Sequence, residues 1–293
     1  MRLVKIMGAG CPDCQAVCSA LAGRPRKAEM TTNEESRDPQ SYVRALARGL
    51  ALMEALGGHP RGRSLTDLAQ EASLDRATAR RLLLTLGSLG YVRNEDSRYM
   101  LAPRALSLGY AYLSSYPFWD VARPLMARLT EKVRQSCSAA TLDGPYAVYV
   151  ARIRSNPHIV DVSRTVGSRV PAYCTSLGRV LLAAQPVDVQ RDLLRQLPPA
   201  RNTPHTVVDT DLLLDMLREI GGQGWALVDQ ELEPNLRSLA VPVRDGAGKV
   251  VAALNISVPE GRASAEELLA NYLEPLRKTA VELTAALRAR ESV

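Results

Sequence analysis

Residues 64–90 read SLTDLAQEASLDRATARRLLLTLGSLG. Ser64 stands three residues before Asp67, a spacing that caps a helix start, and Leu65, Leu68, Ala69 and Ala72 then fall on one face at i, i+3, i+4 and i+7. Ser73 and Leu74 make a turn and Asp75 is a second good N-cap. Ala79, Leu82, Leu83 and Leu86 then repeat the stripe until Gly87 and Gly90 break it. Two short amphipathic helices meeting across a tight turn are therefore expected, which is a helix-turn-helix.

Upstream, Val43, Leu46, Ala47, Leu50 and the Leu52/Met53 pair recur at helical spacing until Gly57-Gly58-His59-Pro60, predicting a first helix over Val43 to Leu56. Downstream, Tyr91-Val92-Arg93 and Arg98-Tyr99-Met100-Leu101 flank the turn formers Asn94 to Ser97, which predicts a hairpin wing. The outer face of the third helix carries Arg76, Ala77, Thr78, Arg80 and Arg81 near its N-terminus, so guanidinium groups and the positive end of the helix dipole point the same way. That face suits a major groove, with Arg93 and Arg98 placed to lie on the phosphate backbone.

Charge agrees. Residues 41–115 carry ten basic and six acidic groups, net +4, whereas residues 1–40 and 116–293 are each net +1, within a chain total of +6. All ten of those bases are Arg, whose planar donor fork matches phosphates and guanine edges, so double-stranded DNA is the expected partner. A protein-binding helical hairpin is the plainer alternative.

At 293 residues and 46% hydrophobic composition, two domains with their own cores are expected. Charged residues at 23%, with no long uninterrupted apolar run, argue against both a disordered polyelectrolyte and a membrane-spanning chain. Aromatics at 4% disfavour a stacking platform for single strands. Five cysteines suggest no disulfide framework and a reducing cytoplasm. Three of them, Cys11, Cys14 and Cys18, crowd a start that resembles the opening of a thioredoxin-like protein for about twenty residues. The further strands such a fold needs are absent, and no nearby His or fourth Cys completes a zinc tetrahedron. Residues 1–40 are therefore expected to be a disordered extension, with Met30 a candidate natural start, and no metal or cofactor is expected.

Residues 41–102 are assigned to the winged helix-turn-helix and 103–118 to a linker helix, whose Leu106, Leu108, Tyr110 and Leu113 need something to pack against. A second copy of the chain is the natural candidate, since two joined modules read a two-fold operator better than one. Residues 119–293 then read as a second domain. A helix over Val121 to Val133 precedes strands at Cys137 to Leu142, Tyr146 to Ile153 and Ile159 to Arg164. Helices follow at Thr175 to Ala184, Val187 to Gln196 and Thr210 to Ile220. Strands resume at Ala226 to Val228, Leu239 to Val243 and Val250 to Val258, the last two joined by Asp245-Gly246-Ala247-Gly248, before a helix over Ala265 to Ala289. This order predicts an α+β domain with a largely antiparallel sheet flanked by helices.

The segments Tyr42 to Leu56, Leu74 to Tyr91, Arg169 to Ala184 (RVPAYCTSLGRVLLAA), Thr203 to Val207 (TPHTV) and Gly224 to Pro242 resemble those of IclR-family transcriptional regulators, a likeness running from about Ser41 to Arg290. The resemblance implies a winged helix-turn-helix, a linker helix and a GAF-like effector domain, assembled as dimers or tetramers. Pro171 to Ser176 and Leu227 to Glu231 are most similar to the branch controlling aromatic-acid catabolism through the β-ketoadipate pathway.

Tyr173-Cys174-Thr175-Ser176 opens a helix whose free N–H groups and hydroxyls suit a carboxylate, making a small organic acid the expected effector. The resemblance adds Asp229, Glu231, Ser238, Asn255 and Ser257. Asn255 and Ser257, two apart on a strand, share a face. Val228 stands where some metabolite-binding members have an acidic residue, which points to a larger or more apolar acid. Arg164 and Arg169 are candidate partners for its carboxylate, against the commoner fate of a surface Arg. Cys174 is read as a small lining residue rather than a reactive thiol, and Asp229 with Glu231 as solvated or structural rather than an acid–base pair. His59, His158 and His205 are scattered, so no catalytic constellation emerges. The competing classes are an enzyme recruited to DNA and a ligand-free architectural DNA binder.

Overall fold

The computed structural model describes residues 42–115, 118–155 and 165–291. The readings of residues 1–40 and of a strand at Ile159 to Arg164, together with His158 and Arg164 themselves, lie outside the described residues. The chain divides into two compact units between Ala111 and Tyr112.

The first unit contains α1 (Arg44–Leu56), β1 (Arg63–Ser64), α2 (Leu65–Glu71), α3 (Arg76–Ser88), β2 (Val92–Glu95) and β3 (Arg98–Leu101). The Ser64 hydroxyl caps α2 by accepting from the Asp67 amide at 3.2 Å, and Asp75 caps α3 by accepting from the Thr78 amide at 2.8 Å. Ser73 turns the chain between them at φ +52°. The β2–β3 hairpin closes on Asp96 and Ser97, both at positive φ, the conformation of a two-residue turn that follows strand twist. Unexpectedly, Arg63–Ser64 adds a third, two-residue strand to the wing, too short to leave an alternating pattern.

Leu52, Leu56, Leu68, Ala69, Ala79, Leu83, Val92 and Tyr99 form this unit's core. Helix α1 is where the sequence puts it, but Val43, Leu46 and Leu50 of its stripe are exposed, and Leu52, Ala55 and Leu56 are the residues that turn inward. After a 3-10 turn (Pro103–Ala105), α4 (Leu106–Ser114) buries none of its residues, and the boundary between the units falls inside it.

Among the described residues, the second unit is built on a six-stranded antiparallel sheet in the order β6-β5-β4-β9-β8-β7. Its strands are β4 (Ser136–Asp143), β5 (Tyr146–Ile153), β6 (Arg169–Pro171), β7 (Ala226–Asp229), β8 (Leu236–Arg244) and β9 (Val250–Pro259). Helices α5 (Phe118–Val133) and α9 (Ala265–Glu291) cover one face. Helices α6 (Ser176–Ala183) and α8 (Thr210–Gln223) cover the other, with α7 (Val187–Gln196) against α8.

Alternation distributes β9 between the two layers: Ala252, Leu254, Ile256 and Val258 join the α5/α9 core, while Ala253 joins the α6/α8 core beside Asn255 and Ser257. β8 follows suit, with Leu239, Val241 and Val243 on the first face and Ala240 on the second. β8 starts at Leu236, three residues earlier than the hydrophobic pattern suggests, because Arg237 sits inside the strand with its guanidinium held by Asp229, Glu260 and the Ala263 carbonyl.

Candidate DNA-binding face and effector pocket

Arg76, Ala77, Arg80 and Arg81 are exposed on the first two turns of α3, and Thr78 is half-buried. Their outward aim follows from Ala79 and Leu83, which anchor the opposite face at 0% and 1% exposure. None of the three arginines makes an ion pair with a described residue, so three guanidinium groups stand ready on one helix end. The Asp75 carboxyl is held below its usual pKa, chiefly by the Thr78 amide bond and then by the Thr78 side chain, so the cap is a carboxylate at neutral pH. On the wing, Arg93 pairs with Glu95 at 2.8 Å and Arg98 donates to the Gly62 carbonyl at 3.3 Å; both remain exposed.

The predicted effector residues converge at the α6 N-terminus. Cys174, Thr175, Ser176, Glu231, Ser238, Asn255 and Ser257 line one pocket, with Tyr149, Val228, Leu232, Glu233 and Leu236 completing it. Register explains the polar floor: Ser238 pairs with Ser257 across β8 and β9, and Val228 pairs with Ser238 across β7 and β8, so all three project to the α6 side. Two buried polar atoms there have no hydrogen-bond partner, the Ser176 hydroxyl and the Asn255 side-chain carbonyl. The open space is only about 20 Å³, room for one water.

Three predicted residues do not line it. Asp229 follows Val228 on β7, so alternation turns it to the α9 side, where Arg237 holds it at 2.9 Å; Val228 is the residue that faces the pocket. Arg169 pairs with Asp143 at 3.0 Å and lies 4.5 Å from the Tyr146 ring, the surface outcome. The Tyr173 hydroxyl is spent on Ala200, donating to its carbonyl at 2.9 Å and accepting from its amide at 3.0 Å. Thr175 lines the pocket, but its hydroxyl accepts from Gly178 N at 3.1 Å and donates to the Pro171 carbonyl at 3.2 Å, so Ser176 keeps the available hydroxyl.

Arg179 escaped the sequence reading. It is fully buried and forms a two-pronged pair with Glu231, both contacts at 2.7 Å, while its Nε donates to the Tyr173 carbonyl at 2.7 Å. Glu231 also accepts from the Val207 amide at 3.0 Å. Thr203 and Thr206 donate to the Gln230 and Glu231 carbonyls at 2.6 and 2.7 Å, strapping TPHTV over the pocket wall. The signal was an Arg in the otherwise apolar run Leu177 to Ala183, since a buried Arg demands a carboxylate. Beside it, Gly178 has no alternative: a Cβ there would lie 2.3 Å from Ala172 Cα and from its carbonyl oxygen. Burial pushes the Cys174 thiol up to about 12, so it lines the pocket as a neutral group rather than a nucleophile.

Among the described residues no group of three or more His, Cys, Asp or Glu is placed to hold a metal, and no helix is long and apolar enough to cross a membrane. The model of the IclR helix-turn-helix domain matches residues 45–96, and that of the bacterial transcriptional regulator IclR C-terminal domain matches residues 110–285. The chain belongs to the IclR family. It is 39% identical over 236 residues to the Pca regulon regulatory protein of Pseudomonas putida, covering 80% of this chain and 81% of that one. It is 33% identical over 256 residues to the p-hydroxybenzoate hydroxylase transcriptional activator of Acinetobacter baylyi, covering 86% and 94%. An IclR homolog from Microbacterium hydrocarbonoxydans, solved in complex with 4-hydroxybenzoate, superposes with a TM-score of 0.70 at 27% identity, covering 84% and 99%. This chain is thus a transcriptional regulator of the IclR family, as those relatives are by name.

Proposed function

We propose that this IclR regulator is a cytoplasmic one-component sensor of a small aromatic carboxylic acid that controls genes for the breakdown of such acids. The DNA-binding module spans 41–102, the linker 103–118, which contains α4, and the effector domain 119–293. The observation that carries the effector reading is the pair of buried, unpartnered polar atoms on Ser176 and Asn255 in one pocket at a helix N-terminus. Ser176 supplies a donor for a carboxylate and Asn255 an acceptor for a ligand hydroxyl, and burying either without a partner costs about 1–3 kcal/mol that a fitting ligand returns. One relative is named for p-hydroxybenzoate hydroxylase and another was solved with 4-hydroxybenzoate, which supports an aromatic acid.

Arg76, Thr78, Arg80 and Arg81 read bases and phosphates of a palindromic operator, with Arg93 and Arg98 on the backbone. The chain works as a dimer or tetramer. Exposed Leu106, Leu108, Tyr110 and Tyr112 on α4 support that reading, as does the groove of about 730 Å³ between α1 and α3, walled by Leu46, Leu50, Leu82, Leu86 and Leu89. The test is a thermal-shift screen of hydroxybenzoates, protocatechuate and β-ketoadipate, repeated on Ser176→Ala and Asn255→Ala. At least one acid is expected to raise the Tm of the parent, with affinity about tenfold weaker in each variant. No shift with any acid refutes the sensor reading.

A further inference from the structure

The second unit holds another cavity, of about 330 Å³, in the size range of small-molecule sites. It opens at the end of the sheet carrying the β8–β9 hairpin, far along β9 from Ser257: Lys249, Val250, Val251 and Ala252 form one wall, and Phe118 and Trp119 at the start of α5 another. Tyr112, from the last turn of α4, and Gln185 also line it. None of its lining residues lines the pocket at Ser176.

Its chemistry is specific. Phe118 and Trp119 pack edge to face with centroids 4.3 Å apart, and Tyr112 adds a third ring at half exposure. Trp119 is 7% exposed and its indole N–H has no acceptor. Lys249 is the one cation of the lining, no carboxylate lines the cavity, and its ammonium pairs with no described acid. Its backbone is fixed by reciprocal bonds with Asp245, whose amide donates to the Lys249 carbonyl at 2.9 Å and whose carboxylate accepts from the Lys249 amide at 2.9 Å.

We propose that this cavity is a second ligand site, for a small aromatic monocarboxylate whose ring lies against Trp119, Phe118 and Tyr112 and whose carboxylate meets the Lys249 ammonium. One cation selects one negative charge, and three aromatic walls select a flat apolar body over an aliphatic acid. The site is lined by Tyr112, in the last turn of α4, and by Phe118, the first residue of α5.

The chain has two tryptophans, Trp119 and Trp225, so Trp225→Phe in the full chain leaves Trp119 as the single reporter. Fluorescence excited at the red edge is titrated with benzoate, 4-hydroxybenzoate and phenylacetate, with benzamide as the uncharged control. At least one carboxylate is expected to quench saturably with a midpoint below about 1 mM, benzamide to bind far more weakly, and Lys249→Gln to raise the midpoint about tenfold. Absence of saturable quenching by all three acids overturns the proposal. So does quenching that Lys249→Gln leaves unchanged. So does a signal that disappears in Asn255→Ala, which assigns the ligand to the pocket at Ser176 and leaves that reading intact.

Discussion

The Arg179–Glu231 pair offers the sharpest test of how the effector unit is held together. Both side chains are out of solvent, at 1% and 7% exposure, and their two contacts at 2.7 Å are joined by the bond from Arg179 Nε to Tyr173 and from the Val207 amide to Glu231. Arg179→Met keeps much of the volume but leaves a buried carboxylate with one amide donor. Breaking a buried pair from one side costs about 3–5 kcal/mol, because the surviving charge stays desolvated. For a unit of this size about 1 kcal/mol corresponds to 2–4 °C, so the variant should melt roughly 6–20 °C lower. Removing both charges, in Arg179→Met with Glu231→Leu, should recover about 2 kcal/mol or more of that loss, short of full recovery because Val207 loses its acceptor. Both tryptophans lie in this unit, so urea melts followed by their fluorescence report on it alone. A single variant within 1 kcal/mol of the parent, or a double variant no more stable than the single, would refute the reasoning.

Arg80→Ala should weaken operator binding by about 1–3 kcal/mol if the group meets a guanine, whereas loss of a phosphate contact at Arg76 or Arg81 should lower the salt dependence by about one counterion; gel-shift titrations at several salt concentrations separate the two, and unchanged affinity removes Arg80 from the interface. Leu106→Glu combined with Tyr110→Lys, on the helix that buries nothing of its own, should yield a monomer in sedimentation and lose most operator affinity; an unaltered oligomer would show that α4 is not the contact. Asp75 has its pKa lowered on folding, so its contribution is fully present above the unfolded value, near 4, and is lost as pH falls through the lower folded one. The first unit's melting temperature should hold from pH 7 to 5 and drop below 4, while Asp75→Asn, which keeps the cap acceptor, should flatten that part of the drop.

The first unit was legible because its decisive features are local. N-caps at Ser64 and Asp75 and the Ala79/Leu83 stripe are set by residues a few positions apart, and the arginines face outward once that stripe packs into the first unit's core. The hydrophobic pattern did not show how far the stripe of α1 is covered: Val43, Leu46 and Leu50 have the right spacing for burial yet stay exposed, while the core takes Leu52 from that stripe together with Ala55 and Leu56. The effector pocket depended on parity and pairing. Two-residue spacing was enough to place Asn255 and Ser257 together, and one residue of offset put Asp229 on the wrong face. Arg179 and Glu231 are 52 residues apart, and nothing local joins them.

The same strand parity separates stability from sensing in the effector unit. On the α5/α9 face every central position of β8 and β9 is aliphatic, so that layer packs without polar demands. On the other face Asn255, Ser257 and Ser238 interrupt the apolar layer where α6 begins, and their groups cannot all be satisfied by one another. A space of about 20 Å³ cannot admit a benzene ring, so the aromatic acid of the proposed function would have to displace a wall to enter. The wall built from Leu232 and Glu233, with Leu236 at the start of β8, belongs to the β7–β8 connection, whose Gln230 and Glu231 are held by Thr203, Thr206 and Arg179. On the proposed function, ligand binding is opposed by the strap and favoured by the unpartnered atoms. Any shift of the β7–β8 connection that accompanies entry is transmitted to TPHTV through hydrogen bonds already made, so weakening the strap should strengthen binding while lowering stability.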